Sequence, residues 1–597
     1  MNKAQTPEKR ETEYFSHYER PMHKQYLAMR RFLLEHATAE EVAKEFGYAV
    51  STVYTIARDF KKRLDACGDN EDPFFRTPRP GRKKIERDDE LVALIIEYRK
   101  KQLSVPAIKI ILDAKGFNIS ESAILGICND NGFVRLPQRG RKERQQILED
   151  GRYMNVSPAP ISETLLFDAE EEFSSKGVGL LCFLPIIKAY GIDAAIEKSN
   201  YPGTLRIRKL NSILCFLALK LSNVERYGHD DGWCMDRGLG MFAGLNVLPK
   251  GSWYSSYSNA VSRNDNILFL KALNLIWSQN GLLSDTVNLD FTAIPYWGDE
   301  EPFENNWSGK RSKALVSIQA VLAQDPDKGI LCYGDTTIKH DNQDRVVLEF
   351  LDFYRGDPAA AGKLKYLVFD SKFTTLENLS KLDDQGIKFL TIQRKSKSLN
   401  EYIESIPVDS WKTARIEKAN HKTRFVVYAE SYTTNKKYGD GKKKLRQIFI
   451  KGANIKPATI ISNDFELSAE AIIQKYANRW LVETEISEQI YFFHLNRNSS
   501  GIVIKVDFDL TMTILAHNLY RLLAMNLKGY SQYAPISLYN QFIDNFGDIS
   551  VGAKTITVKL NRKRSLPLLL ESLPSLVDFT YEWIGGKHIL FVPNTHT

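Results

Sequence analysis

The chain has 597 residues, 43% of them hydrophobic and 26% charged, a composition that excludes a disordered or fibrous chain and allows about three to five domains. Its net charge of +8 permits an anionic partner, and the first 150 residues hold half of that excess. The opening MNKAQTPEKRETEYF has no apolar signal core, the runs 177–187 and 213–219 are too short to span a bilayer, and the six cysteines form no C-x-x-C pair, so membrane, zinc and disulfide classes lack support and a reducing cytoplasm is expected.

Thr38 to Leu64, TAEEVAKEFGYAVSTVYTIARDFKKRL, has the parts of a helix-turn-helix. Thr38 and Glu41 make a capping box, Val42, Ala43 and Phe46 an apolar face, Gly47 a helix end and Ser51 a second cap. The second helix would present Thr52, Tyr54, Thr55 and Arg58 outward, as a recognition helix in a major groove does, while Val53, Ile56 and Phe60 pack. RTPRPGRKK follows, an extended arm whose Arg79, Arg82, Lys83 and Lys84 can lie over phosphates; a solvated linker is the plainer reading. A second helical cycle spans 89–134, with Ser120 capping its last helix, and a basic tail with Arg139 and Arg141 comes after it. Two such units, each flanked by cations, imply bipartite DNA reading.

Residues 149–175 read as an acidic, Pro- and Ser-containing linker, and 176–284 as a helical adaptor or dimerisation layer. From 285 the pattern changes. TVNLDFT (286–292) alternates as a strand with Asp290 on the polar side, strands follow at 313–323 and 329–335, a helix at 343–354, a strand at 364–369 ending in Asp370, a helix at 376–385 and a strand at 387–393. Residues 397–460 read as a β-rich insertion, where KKYGDGKKKLR gives a cationic hairpin turn with Lys442, Lys443 and Lys444, and Trp411 is a candidate for base stacking. In YANRWLVETEISEQI, Tyr476, Arg479, Trp480, Glu483, Ser487 and Ile490 share one helical face on which Glu483 is the single carboxylate. An apolar helix at 508–525 and short strands at 555–560 and 588–592 complete the chain.

Three acids from distant positions suit a pair of divalent ions, because carboxylate oxygens are the hard ligands that Mg²⁺ prefers. The order Asp290, Asp370, Glu483, with Tyr476-x2-Arg479-x3-Glu483 and the run LVFDSKFTTLENLSKLDDQGIKFLTIQRK, resembles the Tyr-Arg-Glu signature group of insertion-sequence DDE transposases over about residues 285 to 525. That resemblance implies a ribonuclease H-like catalytic core, split by the insertion into 285–396 and 461–530, within a multidomain α+β chain. It implies catalytic, metal-binding roles for Asp290, Asp370 and Glu483 with two Mg²⁺, or Mn²⁺ as a substitute. It also implies contacts from Tyr476 and Arg479 to DNA phosphates, cleavage at transposon ends, and transfer of 3′-hydroxyl ends into target DNA. The expected partners are both DNAs and further copies of the chain, the expected place a prokaryotic nucleoid. The signature lysine position is Ile490 here, a departure for which Arg497 is a candidate substitute. The competing readings are a transposase-derived DNA-binding protein that does not cut and a metal-dependent nuclease without strand joining.

Overall fold

The computed structural model describes residues 21–66, 89–101, 103–131, 133, 136, 170–204, 206–228, 230–296, 303–308, 313–355, 363–370, 374–394, 396–417, 423–452, 455–479, 491–495, 502–573 and 579–595. Two compact units divide the chain after Asp89.

In the first unit α1 (Pro21–Leu33), α2 (Ala39–Phe46) and α3 (Val50–Ala66) enclose Ala28, Met29, Val42, Phe46, Val53 and Ala57. The capping box forms as expected: Thr38 Oγ1 accepts from Glu41 N, Glu41 accepts from Thr38 N, and Gly47 ends α2 at φ 63°. α3 starts earlier than its sequence suggests. Ala49 O takes the first helical bonds from Thr52 N and Val53 N, so Ser51 lies in the first turn and is not the cap. α1, which the pattern does not reveal, completes the bundle.

The second unit begins with another three-helix bundle, α4 (Asp89–Lys100), α5 (Val105–Ala114) and α6 (Glu121–Asp130), around Ile95, Ile108, Leu112 and Ile124. It is fastened to the rest of its unit by Lys100 Nζ to Val261 O at 3.2 Å, Lys339 Nζ to Asp130 Oδ1 at 2.7 Å and Val503 N to Asn131 O at 3.2 Å. The tail of the expected linker is a strand. β1 (Glu171–Ser175) pairs with a strand of the C-terminal region nearly four hundred residues on, a partner that local pattern cannot announce.

The helical layer follows as α7 (Phe183–Ala189), α8 (Ile192–Lys198), α9 (Lys209–Leu221), α10 (Arg237–Phe242), α11 (Gly251–Ala260) and α12 (Arg263–Gln279). The main sheet and its helices are β2 (Thr286–Pro295), β3 (Asn305–Ser308), β4 (Lys313–Asp325), β5 (Ile330–Ile338), α13 (Val346–Arg355), β6 (Tyr366–Phe369), α14 (Leu376–Asp384), β7 (Lys388–Ile392), α15 (Lys397–Ser405), β8 (Lys412–Glu417), β9 (Thr423–Thr434), β10 (Lys444–Gly452), β11 (Ile455–Ser462), α16 (Ala469–Ala477) and α17 (Val503–Asn526). Strand order is β4-β2-β6-β7-β11-β10-β9-β8, with β3 and β5 both along the outer side of the long β4. β2, β6 and β7 run parallel, whereas β4 is antiparallel to β2 and the last four strands alternate. The insertion therefore widens the sheet and is not a detached lobe.

One face of the sheet packs on α17 and the helical layer in a single large core. At Gly334 on β5 the helix α17 comes close: a Cβ there would lie 2.6 Å from Ile514 Cδ1. α12 is tied in by charge: Arg263 meets Asp335 of β5 at 2.6 Å and Asp507 of α17 at 3.0 Å, and both acids are 2% exposed. Such a pair of buried carboxylates is tolerable only with its cation in place. The other face packs Val368, Leu390, Ala414, Val426, Ile448 and Ile460 against Ile472, Ile473 and Tyr476 of α16. A small sheet, β1 with β12 (Gly547–Val551), β13 (Thr555–Leu560) and β14 (His588–Pro593), and α18 (Leu566–Ser572) share the large core. Among the described residues no single helix is long and apolar enough to cross a membrane.

Candidate active site

β2 carries polar residues on the face turned to α16, and the pairing with β6 sets them in register with the second acid. Thr286, Val287 and Asn288 lie opposite Tyr366, Leu367 and Val368, so two residues further on Asp290 is level with Asp370 at the end of β6. Residues level on parallel neighbours turn to the same face, and both aspartates are half-buried. Asp290 Oδ1 accepts from Phe291 N at 2.9 Å.

α16 crosses that face because Ala469, Ile472, Ile473 and Tyr476 form its buried stripe, after a cap in which Ser468 accepts from Ala471 N. Its end is fixed to β2 by three polar contacts in step. Lys475 Nζ donates to Thr286 Oγ1 at 2.6 Å, Asn288 Nδ2 donates to Asn478 O at 3.2 Å, and Arg479 Nη1 meets Asp290 Oδ2 at 2.9 Å. The guanidinium lies 5.5 Å from the ring centroid of Tyr476. Burial pushes the Tyr476 hydroxyl up to about 12; Arg479 opposes the shift and Asp370 and Asp290 add to it, so this phenol sits among the two acids and the arginine and stays protonated at neutral pH. Tyr476, Arg479, Asp290 and Asp370 are thus brought together. Glu483, Trp480, Ser487, Ile490 and Arg497 lie outside the described residues. Chain connectivity still bounds Glu483, because four residues span at most about 14 Å from Arg479.

The predicted DNA-contacting residues divide. On α3, Tyr54, Thr55 and Arg58 are exposed and Thr52 is half-buried, with Tyr54 edge-on to Phe32 at 5.9 Å. Arg79, Arg82, Lys83, Lys84, Arg139 and Arg141 lie outside the described residues. α6, the last helix of the second bundle, carries Glu121 and Asp130 and no lysine or arginine, and Asp130 is paired with Lys339. That leaves it poorly suited to lie against phosphates.

The insertion hairpin forms where expected, with Asp440 at φ 53° and Gly441 at φ 75°. Its position follows from strand direction. β6 and β7 end at the aspartates, β11 runs back from that end and β10 returns to it, so the turn between β9 and β10 is at the opposite end of the sheet. Lys442 and Lys444 are exposed there, and Lys443 binds Asp383 at 2.7 Å and Asp384 at 2.6 Å. Trp411 is half-buried beneath Lys451 Nζ, 3.6 Å from its ring centroid. At the aspartate end, on the face away from α16, stand Arg415, Phe425 at 66% exposure, and Lys451. Sequence reading passes over these three, and over Lys475 and Asn288; a cation opposite an aromatic, Arg415 across from Phe425, is the one signal that strand alternation offers.

Among solved structures the chain is similar to a piggyBac transposase in a cryo-EM synaptic complex with hairpin DNA, at 12% identity over 61% of this chain and 80% of that one, with a TM-score of 0.34, too loose an overlap to build on. No curated protein matches it. The transposase DDE domain family matches residues 285–519, a span that begins just before β2 and ends within α17, enclosing the paired aspartates, the widened sheet and the Tyr476–Arg479 helix. That match assigns the stretch 285–519, and not the whole chain, to the transposase DDE domain family.

Proposed function

We propose that this protein cuts DNA at the ends of a mobile element and joins the freed 3′-hydroxyls to target DNA, using Asp290, Asp370 and Glu483. The observation that carries the reading is Asp290 level with Asp370 on neighbouring parallel strands, with Arg479 against the first. We read β5-β4-β2-β6-β7, with α13 and α14 between its later strands, as the ribonuclease H-like part of the sheet. Two carboxylates at one level fit a hard divalent ion, and Glu483, tethered within about 14 Å of Arg479, is the third ligand of the proposal. When bound, a Mg²⁺ pair would polarise the scissile phosphate and lower the pKa of an attacking water or hydroxyl.

The chain's own groups would do the rest. Asp290 and Asp370 would hold the ions. Arg479, which balances Asp290, would also be in reach of a non-bridging phosphate oxygen of bound DNA. The protonated Tyr476 hydroxyl can donate to the same DNA strand. Reading of the element's ends is assigned to α3 of the first unit through Tyr54, Thr55 and Arg58, and grip on the flanking duplex to Arg415, Phe425 and Lys451. Two ends must meet in one complex, so we expect a dimer or larger assembly on DNA.

The test uses end-containing duplex DNA with Mg²⁺. Asp290→Asn, Asp370→Asn and Glu483→Gln should each abolish cleavage and leave end binding largely intact. Full cleavage by Glu483→Gln would move the third ligand to Glu485 or Glu488. A wild-type protein that binds ends but never nicks them would favour the non-cutting reading.

A further inference from the structure

The C-terminal region holds a surface that the transposition chemistry does not use. After β13 the chain reads Asn561-Arg562-Lys563-Arg564-Ser565 before α18. This turn is rigidly held. Asn545 Nδ2 donates to Asn561 O at 3.2 Å, Asn561 N donates to Asn545 Oδ1 at 3.1 Å, and Asn594 Nδ2 donates to Asn561 Oδ1 at 3.2 Å. Asn545 and Asn594 are 3% and 4% exposed, so two buried amides help fix one surface turn, Asn594 Nδ2 also donating to Asp548 Oδ2 at 3.0 Å. Lys563 is the anchor of its centre, its Nζ donating to Asn540 O and to the backbone carbonyl of Asp544, and Ser565 Oγ donates to Gln541 O at 2.7 Å.

The flanking residues are left outward. Arg562 and Arg564 are exposed, and among the described residues neither has an ion-pair partner. Beside them Phe546, 48% exposed, has its carbonyl bound by Asn561 N. Asp544 is the exposed acid of the adjoining loop. Two unbalanced guanidinia on a preorganised turn, next to an uncovered ring, match a phosphodiester backbone: arginine forks bind phosphate oxygens, and a fixed turn loses little entropy when they do.

We propose that this turn is a second contact for duplex DNA, independent of the carboxylate site, in which Arg562 and Arg564 bind backbone phosphates and Phe546 packs against the sugar edge. The proposal rests on the transposase reading only in taking DNA as the anion. It is tested with full-length protein and a random-sequence duplex, by fluorescence anisotropy over a salt series. The Arg562→Ala/Arg564→Ala double variant should lower the slope of log K against log salt by about 2 and weaken binding about tenfold or more. The Arg562→Lys/Arg564→Lys pair should keep most of the slope, and the unfolding midpoint of both should match wild type. An unchanged slope and affinity in the alanine pair would overturn the proposal, as would an equal loss in the lysine pair. Cleavage of end-containing DNA by Asp290→Asn is scored separately; if that variant still cuts, the catalytic reading falls while this one stands.

Discussion

Arg479→Gln removes the cation that faces Asp290. At the observed 2.9 Å two unit charges attract by about 6 kcal/mol at an effective dielectric of about 20. Both side chains are largely buried, 8% and 14% exposed, so much of that attraction offsets the cost of desolvating them. Truncating one partner leaves the other buried and unbalanced, and the expected loss in metal-free protein is about 3 kcal/mol, the low end of the range for such pairs because Asp290 keeps the backbone donor of Phe291. The level Asp370 carboxylate adds repulsion. If the two aspartates hold Mg²⁺, added ion supplies the missing charge, and the deficit should shrink as MgCl₂ is raised. The assay is denaturant unfolding of wild type, Arg479→Gln, Asp290→Asn and the double variant, without and with saturating MgCl₂. A coupling of about 2 kcal/mol is expected in its absence. Single-variant losses that add to within about 0.5 kcal/mol, or an Arg479→Gln deficit indifferent to Mg²⁺, would refute the reasoning.

Three further outcomes follow from the geometry. Arg415→Ala with Lys451→Ala should weaken binding of end DNA and lower its salt slope by about 1 to 2, whereas Lys442→Ala with Lys444→Ala should leave both unchanged; gel shifts giving the reverse order would return the grip to the hairpin. A Cβ at Gly179 would lie 2.1 Å from Ile543 O, a backbone atom that cannot swing aside, so Gly179→Ala should destabilise the second unit by about 2 to 3 kcal/mol in chemical denaturation, and a loss near zero would contradict that packing. Burial lowers Lys100 to about 8 while Asp265 and Glu97 oppose and Lys505 reinforces the shift. Its folded pKa lies below the unfolded value, so the folded chain releases this proton first and stability should rise between about pH 8 and 10.5, by on the order of 3 kcal/mol. Lys100→Met should flatten that rise in unfolding curves taken across the window, and an unchanged rise would place its origin elsewhere.

What the sequence discloses is what depends on near neighbours. The capping box of Thr38 and Glu41, the stop at Gly47, the alternation of β2 and the Asp440-Gly441 turn are each decided within a few residues, and each forms. The level placing of Asp290 and Asp370 is nearly as legible, since each acid's position on its own strand can be read and parallel neighbours need little more. The end of the sheet at which the hairpin lies cannot be read, because it depends on β11 pairing with β7, a contact between distant segments. The same holds for β1, five residues with no internal pattern until β12 lies beside them. The three contacts of Lys475, Asn478 and Arg479 with β2 depend on how α16 is rotated, which its buried stripe sets only after the sheet exists.

The helical layer also has a part in the active-site half that its composition does not suggest. Upstream of 480–490 the chain is fixed to β2 through Arg479 and Asn478. Downstream it is fixed to α9 and the turn after it: Lys220 Nζ, on a residue 5% exposed, donates to Phe493 O at 3.0 Å and pairs with Asp509 at 2.9 Å, and His494 Nε2 meets Asn223 Oδ1 at 2.8 Å. Phe492 and Phe493 then pack edge-on against Tyr520 of α17. A buried lysine that neutralises one acid and takes a carbonyl from a segment 273 residues away is costly to arrange for stability alone. It makes sense if the two fastenings must be held a fixed distance apart, and the stretch joining them carries Glu483, Glu485 and Glu488. If Glu483 is the third ligand as proposed, the layer is part of the frame that fixes the downstream end of its segment.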